Sequence, residues 1–194
     1  MKNYFTSDLH LGHANVIKYC DRPFASVEEM DETLIANWNA KVHKDDAVYI
    51  LGDLVWQSCD PIPYLARLKG KKHLIVGNHD RWVAMPEAAG YFESVTSYAE
   101  LVLNCRNFTL CHYPMLEWKN SRKIGSSRLG YMVHGHIHNG VKPLYRPLFE
   151  LPNALNAGVD INGFAPVSFD ELVANNEAFK REALLRMNAL DETP

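Results

Sequence analysis

Short apolar runs alternate with amphipathic stretches along the first half of the chain. The apolar runs predict strands at residues 3–7, 47–51 and 74–76. Between them, Ser26 and Glu29 form a capping-box pattern that opens a helix ending near residue 41. Residues 61–68 predict a shorter helix, with Gly70 as its stop signal. Strands that alternate with helices are typical of a layered α/β fold.

The second half of the chain is richer in strand patterns. Strands are predicted at residues 95–98, 101–103, 108–111 and 131–133, with a turn at residues 104–107. A second capping box, Ser168 with Glu171, opens a last helix that ends near residue 188. Two polar residues, Asn176 and Lys180, interrupt the apolar face of this helix. Because no repeat or flexible linker divides the sequence, we expect one domain over residues 1–194.

Polar residues that can bind a metal follow five of the predicted strands. In open α/β sheets, ligands bind beyond the carboxyl ends of the strands, where the connecting loops converge. On an extended strand, residues two apart point to the same side, and both Asp8 with His10 and His136 with His138 have this spacing. The five strand-end motifs are Asp8-Leu9-His10, Gly52-Asp53, Gly77-Asn78-His79-Asp80, His112 and His136-Ile137-His138.

Composition adds one anomaly, which is the distribution of histidine. Seven of the nine histidines lie in short polar clusters rather than at scattered positions. The motifs supply seven candidate ligands with nitrogen and oxygen donors and no thiolate. Such a set suits Mn, Fe, Ni, Co or Zn, whereas an all-oxygen set would favour Mg or Ca. Any one of these short motifs occurs by chance in many chains, so the prediction depends on all of them together.

Charge and segment patterns exclude several classes of protein. The net charge of −3 provides no global positive field, so we expect no general nucleic-acid binding. No apolar run approaches the roughly 18 residues of a membrane helix, and the first residues are not typical of a signal peptide. The four cysteines show no CxxC spacing, which predicts free thiols in a cytoplasmic protein.

Taken in order, the five motifs resemble those of the calcineurin-like metallophosphoesterase superfamily, and in particular its compact bacterial or phage-type phosphoesterases. The resemblance implies a four-layered α/β/β/α sandwich with two divalent metal ions at one edge. It further implies two sets of ligands and a bridging residue: Asp8, His10 and His138 for one ion; Asn78, His112 and His136 for the other; and Asp53 between them. It also implies that His79 donates a proton to the leaving group, with Asp80 orienting its ring.

The expected activity is hydrolysis of a phosphodiester or phosphomonoester by metal-bound hydroxide. Two divalent ions that share a water lower its pKa and supply hydroxide at neutral pH. Only Asp8 and Asp53 contribute formal negative charge, so the loaded site stays positive and favours a phosphate over a peptide carbonyl. Gly52-Asp53 lacks the Asp-Arg-Gly continuation of the superfamily's Ser/Thr protein phosphatases, which argues against phosphoprotein substrates. The alternative is a binding scaffold that kept the fold and lost the chemistry.

A basic stretch between His112 and His134 is the sequence candidate for substrate binding. It carries one acid, Glu117, and is loop-like in composition. One interpretation is a flap that meets a second phosphate or a nucleotide, with Trp56, Trp118 and Tyr113 as candidate stacking partners; the other is a solvated surface loop. For His13 and His134 we favour structural roles. The candidate substrate-binding residues are Lys119, Arg122, Lys123 and Arg128.

Overall fold

The first half of the chain forms a four-stranded parallel sheet. In the computed structural model, which describes residues 1–191, its order is β1 (Asn3–Thr6), β2 (Ala47–Ile50), β3 (Lys71–Ile75) and β4 (Ser94–Thr96). Four helices connect these strands: α1 (Ala14–Tyr19), α2 (Val27–Lys41), α3 (Ile62–Leu65) and α4 (Pro86–Ala89). A 3₁₀ turn at Arg81–Ala84 precedes α4. Parallel strands with helical crossovers agree with the predicted alternation.

The second half forms a mixed sheet. Its order is β5 (Tyr98–Leu103), β6 (Arg106–Cys111), β7 (Gly130–His134) and β8 (Ala154–Asn156). Strands β5 and β6 are antiparallel, whereas β6, β7 and β8 run parallel to one another. Helices α5 (Arg146–Glu150) and α6 (Phe169–Asp191) cover this sheet, and 3₁₀ turns lie at Pro143–Tyr145 and Val159–Ile161.

Three apolar clusters separate four layers. On β2, Val48 and Ile50 face the cluster beneath α2, while Tyr49 faces the other sheet. Between the sheets, Phe5 packs against Phe108 with ring centroids 5.3 Å apart. On the outer face of the second sheet, Met132 packs with residues of α5 and α6. The predicted α/β/β/α sandwich is therefore confirmed.

Several element boundaries differ from the prediction. The chain crosses from the first sheet to the second at Ser97, so the strand predicted at 95–98 is the junction of β4 and β5. Asn104 and Cys105 both have positive φ, 47° and 61°, and form a two-residue hairpin turn that is tighter than predicted. Strand β8 and helix α5 were not predicted because each contains only two consecutive apolar residues, too few to show an apolar run or a period.

Two polar residues of α6 form hydrogen bonds to the backbone at the unpaired edge of β8. The Asn176 side chain accepts from the backbone N–H of Asn156 at 2.7 Å and donates to its carbonyl at 2.9 Å, as a neighbouring strand would. The Lys180 ammonium donates to the carbonyls of Leu151 and Ala154. Because edge strands leave backbone groups unpaired, these two interruptions of the apolar face satisfy groups that would otherwise be buried without partners.

Two further expectations can be compared with the structure. The predicted free thiols are confirmed, since none of the four cysteines forms a disulfide. Among residues 1–191, no helix combines the length and apolar character needed to cross a membrane.

Candidate metal centre

The seven candidate ligands meet at one edge of the sandwich, where strands of both sheets end. Asp8 and His10 follow β1, Asp53 follows β2 and Asn78 follows β3. From the second sheet, His112 follows β6, and His136 and His138 follow β7. The loops pair with one another, because the backbone N–H groups of Asp8 and His10 donate to the carbonyls of Gly52 and Asp53, both at 3.0 Å. The predicted convergence of strand ends therefore has a direct structural basis.

Most of these residues adopt a backbone conformation that is rare outside glycine. Five of the seven candidate ligands have φ between 51° and 70°. Such strained positions cluster at functional sites, where surrounding contacts hold them in place. The expectation that Asp8 and His10 lie on an extended strand is wrong, because β1 has ended by Thr6 and both residues turn left-handed. The five residues are Asp8, His10, Asp53, His136 and His138.

Two glycines of the motifs allow the loops to approach each other closely. A Cβ on Gly77 would lie 2.3 Å from Oδ1 of Asp53. A Cβ on Gly135 would lie 2.5 Å from Oδ2 of Asp8 and 1.9 Å from Oγ of Ser7. Any larger residue at either position would displace a candidate ligand.

Asp8, His10 and His138 form what we call the first half of the centre. Nε2 of His138 lies 3.7 Å from Oδ1 of Asp8, and Nε2 of His10 lies 4.0 Å from the same oxygen. The two imidazole rings are stacked, with centroids 5.1 Å apart. The Asp8 carboxylate also accepts from the backbone N–H of His136 at 2.9 Å, which ties β1 to the loop after β7. Each of these side chains offers one donor atom to a common point.

Asn78, His112 and His136 form the second half. Oδ1 of Asn78 lies 2.9 Å from Nε2 of His112 and 3.0 Å from Nδ1 of His136. Nδ1 of His112 donates to the carbonyl of Leu51 at 2.6 Å, so Nε2 is the ring nitrogen that faces the centre. This half contains only neutral donors.

Asp53 lies between the two halves. Its Oδ2 is 3.6 Å from Nε2 of His10 and also 3.6 Å from Nε2 of His112. Its Oδ1 accepts from the backbone N–H of His79 at 2.8 Å. Burial raises the pKa of the Asp53 carboxyl, since the charged form has lost its hydration. A cation beside it would restore the charged form.

The two histidines of the first half differ in the direction of their pKa shifts. Burial lowers the pKa of His10 well below its usual range, which leaves its ring neutral. Burial also lowers the pKa of His138, but hydrogen bonds to Asp160 and Cys20 and the nearby Asp8 carboxylate outweigh it and raise that pKa to about 11. A proton on His138 and a metal cation would balance the same carboxylates.

The residues present therefore fit divalent metal ions. Asp8 and Asp53 are at most 2% exposed, and buried carboxylates are retained when they are paired or bind metals. The donors around them are imidazole nitrogens and an amide oxygen, a set that suits Mn, Fe, Co, Ni or Zn.

Comparison with known proteins agrees with this chemistry. A model of the family described as calcineurin-like phosphoesterase matches residues 1–160. The chain belongs to this family. It is 36% identical over 175 residues to the uncharacterized protein MJ1445 of Methanocaldococcus jannaschii, covering 89% of each chain. It is 30% identical over 179 residues to the gene 66 protein of Mycobacterium phage D29, covering 81% of this chain and 87% of the phage protein.

A solved structure shares the fold of this calcineurin-like phosphoesterase. The Aquifex aeolicus protein AQ665, described as being of unknown function, has a TM-score of 0.67 with it at 24% sequence identity. The match covers 87% of this chain and 96% of that one.

His79 lies beside the first half, but Asp80 does not hold it. The His79 ring is 5.4 Å from that of His10 and 4.7 Å from that of Trp56. Asp80 is buried and accepts instead from the backbone N–H groups of Asp53, Leu54 and Gly77 at 2.8–2.9 Å. The expectation that Asp80 orients the His79 ring is therefore wrong, because its carboxylate faces the backbone of the two ligand loops. Burial raises the pKa of Asp80 to about 6.

A cleft of about 540 Å³ opens over the centre. The residues that line it include the aromatic rings of His13, Tyr19 and Trp56, which we call the aromatic wall, together with Lys142 and Tyr145. His13 stacks on Trp56 with centroids 3.6 Å apart. Lys142 was not singled out from the sequence, since no local pattern distinguishes it from other surface lysines.

The predicted basic residues are placed differently. None of Lys119, Arg122, Lys123 and Arg128 is among the described residues that line this cleft. Lys119 pairs with Glu100 at 2.6 Å, and Arg122 pairs with Glu117 at 2.9 Å, both in exposed positions. All four basic residues are therefore exposed on the protein surface, and two of them have acidic partners.

The remaining aromatic and histidine candidates have separate surroundings. Trp118 is buried and donates to the carbonyl of Gly130 at 2.9 Å, whereas the Tyr113 ring lies 4.6 Å from that of His136. His134 is buried with Nδ1 at 2.9 Å from the carbonyl of Gly135. His13 lines the cleft against Trp56. Neither histidine lies among the seven candidate ligands.

Sequence reasoning missed two charged residues behind the centre, Arg22 and Asp160. Asp160 follows β8 and accepts from Nδ1 of His138 at 2.7 Å. It has the strand-end position of the other motifs, but its strand was too short to predict. Arg22 pairs with Asp160 across 138 residues of sequence, so no local spacing connects the two.

Proposed function

We propose that this family member hydrolyses phosphodiesters or phosphomonoesters at a dinuclear metal centre. The observation that carries the proposal is the position of Asp53, whose Oδ2 is equally distant from a histidine of each half. This one oxygen faces both sides, while Oδ1 accepts from the backbone N–H of His79. The first half, Asp8, His10 and His138, would hold one ion; the second half, Asn78, His112 and His136, would hold the other.

The chemistry of such a pair follows from its charge. Two divalent ions stabilise charge on a phosphoryl group and lower the pKa of water, which supplies a nucleophile at neutral pH. The seven side chains contribute two formal negative charges, so the loaded centre stays positive. A phosphate oxyanion would neutralise this charge, whereas a neutral carbonyl would not.

His79 is proposed as the donor of the proton that the leaving alkoxide requires. Its backbone N–H is fixed by Asp53 at 2.8 Å, so the residue sits directly over the shared carboxylate. Its ring lines the cleft beside Trp56. A positioned imidazole can act in this way near neutral pH.

The cleft favours a small phosphate ester, with nucleotides among the candidates. A volume of about 540 Å³ lies within the range of small-molecule sites. The aromatic wall offers apolar contact to the alcohol of the ester, and Lys142 offers a cation to a second anionic group. The earlier candidates Lys119, Arg122, Lys123 and Arg128 remain a competing proposal for that second group.

Hydrolysis of bis-p-nitrophenyl phosphate and p-nitrophenyl phosphate tests the activity. Chelator-treated protein should be inactive and regain turnover with Mn, Co, Ni, Fe or Zn, at two metal equivalents per chain. No turnover of either ester with any of these metals would contradict the enzyme function. A chain that also binds well under two equivalents would then match the alternative of a silent binding scaffold.

A matched pair of lysine variants tests the cleft. Lys142→Ala should raise KM for a nucleotide that carries a second phosphate more than for bis-p-nitrophenyl phosphate. Lys119→Ala, the same substitution at an exposed position outside the cleft, should leave both KM values unchanged. The reverse result would assign binding of the second phosphate to the basic stretch between His112 and His134.

A further inference from the structure

Arg22 lies directly behind the first half of the centre, with its side chain fully buried. Its guanidinium reaches two separate segments. Nη2 donates to the carbonyl of Asp8 at 2.7 Å, and Nη1 donates to that of Leu9 at 2.8 Å. Nε and Nη2 donate to the Asp160 carboxylate at 2.7 and 3.2 Å. One side chain therefore joins the ligand loop after β1 to the turn after β8.

Asp160 extends this connection to a candidate ligand. Its side chain is 1% exposed, and its Oδ2 accepts from Nδ1 of His138 at 2.7 Å. The bond fixes the proton on Nδ1, so Nε2 is the atom that faces Asp8. Hydrogen bonds thus run from the Asp8 backbone through Arg22 and Asp160 to His138.

A second bond holds the same segment. The Asn139 side chain, next to His138, donates to the carbonyl of Cys20 at 2.7 Å. Residues 20–22 are therefore attached to both of the loops that supply the first half. The second half is supported differently: a backbone carbonyl holds the ring of His112, and the buried Asp80 carboxylate accepts from the backbone of the loops that carry Asp53 and Asn78.

Stability alone is a weak reason for this arrangement. Removing two charges from water costs about as much as their attraction returns, so a buried ion pair adds little net stability. Geometry gives a better reason. Arginine presents five N–H donors in one rigid plane, whereas lysine is a point charge that cannot hold two segments in fixed register.

We infer that Arg22 and Asp160 form a clamp that positions the Asp8, His10 and His138 half of the metal centre. Both are positioning residues, because neither faces the cleft with a donor atom for substrate. The inference rests on the proposed metal centre. It predicts that disturbing the clamp weakens one ion and leaves the other in place.

Binding of Mn²⁺, followed by the electron paramagnetic resonance of the free ion, tests the clamp without an activity assay. Arg22→Lys keeps the charge and removes the planar set of guanidinium donors. It should weaken the binding of one of the two ions by about 10–100-fold. Arg67→Lys is the matched control, because Arg67 makes a two-pronged pair with Glu32 on the exposed surface. It should bind both ions as the wild type does.

Two backgrounds identify the half that is affected. In Asn78→Ala, which retains the first half, adding Arg22→Lys should weaken the remaining ion by the same 10–100-fold. In His10→Ala, which retains the second half, adding Arg22→Lys should change the affinity for the remaining ion less than about threefold. Equal weakening in both backgrounds, or wild-type affinity for both ions in Arg22→Lys, would overturn the clamp.

The double variant Arg22→Met/Asp160→Asn guards against a simple folding failure, because it removes both buried charges together. It should keep the wild-type circular dichroism spectrum and still lose the first-half ion. Two tightly bound ions in this variant would overturn the clamp. If the wild type itself binds a single ion, the proposed dinuclear function fails, while the effect of Arg22→Lys on that ion still decides the clamp.

Discussion

The two halves of the candidate metal centre differ in the charge of their ligands and in the residues that support them. The first half contains the Asp8 carboxylate and is supported by a buried ion pair. The second half contains only neutral donors; the carbonyl of Leu51 holds the ring of His112, and the Asp80 carboxylate holds the backbone of the neighbouring loops. The charged candidate ligand Asp53 lies between the halves, with Oδ2 3.6 Å from a histidine of each. Two adjacent sets of ligands can therefore depend on different residues for their charge and their position.

The largest effect is expected from Asp53→Asn, because this carboxylate serves both halves. Each ion should bind at least about 100-fold more weakly, so activity at limiting metal should fall by about 10⁴-fold. Metal analysis after gel filtration, together with bis-p-nitrophenyl phosphate hydrolysis, measures both quantities. His10→Ala is the comparison variant and should retain close to one equivalent. Equal metal loss in the two variants would remove Asp53 from its shared position.

A smaller loss, selective for the leaving group, is expected from His79→Ala. His79 belongs to neither half, so the variant should keep both ions. Its activity should fall by about 10²–10⁴-fold on nucleoside or alkyl phosphodiesters, whose alkoxides need a proton, and much less on p-nitrophenyl esters. His43→Ala, an exposed histidine far from the motifs, should behave as the wild type. A uniform loss across leaving groups would exclude the proton-donor role.

Metal removal should separate the halves directly. Because the first half has the additional Asp8 charge and the Arg22–Asp160 support, its ion should bind at least about 10-fold more tightly. Titration of the Mn-loaded wild type with a chelator should release one equivalent before the other. In Arg22→Lys the two steps should move together. A single step in the wild type, unchanged in the variant, would show that the halves are equivalent.

The smallest effect is expected from Asp80→Asn, which acts on the second half through its backbone. Asp80 accepts three N–H bonds from the loops that carry Asp53 and Asn78, so the variant should lose about 1–3 kcal/mol of unfolding free energy. Its relative activity on different leaving groups should not change. Urea unfolding and the leaving-group series measure these two effects.

Asp46→Asn is a matched control for that experiment. Asp46 is also buried and accepts from the backbone N–H groups of Lys2 and His43, but it lies at the opposite end of β2. It should lose comparable stability and retain both ions. If Asp80→Asn instead shows the leaving-group dependence expected of His79→Ala, Asp80 acts with His79 after all.

The layered fold could be predicted from the sequence, and so could the meeting of the seven candidate ligands at one edge of it. Apolar runs mark the longer strands, and each ligand is placed by its position just after one of them. The same local reasoning assigned Asp80 to its sequence neighbour His79, although its carboxylate bonds to backbone 26 and 27 residues away. Local reasoning also could not identify the partner of Lys119 in the basic stretch, since Glu100 lies on β5 and meets Lys119 only after folding.

The support behind the ligands could not be predicted for a related reason. Arg22 and Asp160 are a buried charged pair, an arrangement that composition and periodicity do not indicate. The strand that positions Asp160 has three residues. The left-handed backbone at Asp8 and His10 likewise depends on contacts with the loop after β2, which exist only in the folded chain.

Anomalous diffraction from crystals of the Mn-loaded protein tests the shared centre most directly. We expect two manganese peaks about 3.5–4 Å apart. One should lie among Asp8, His10 and His138, the other among Asn78, His112 and His136, with a carboxylate oxygen of Asp53 beside each. A single peak, or two peaks of which one lies away from Asp53, would contradict a dinuclear centre shared by Asp53.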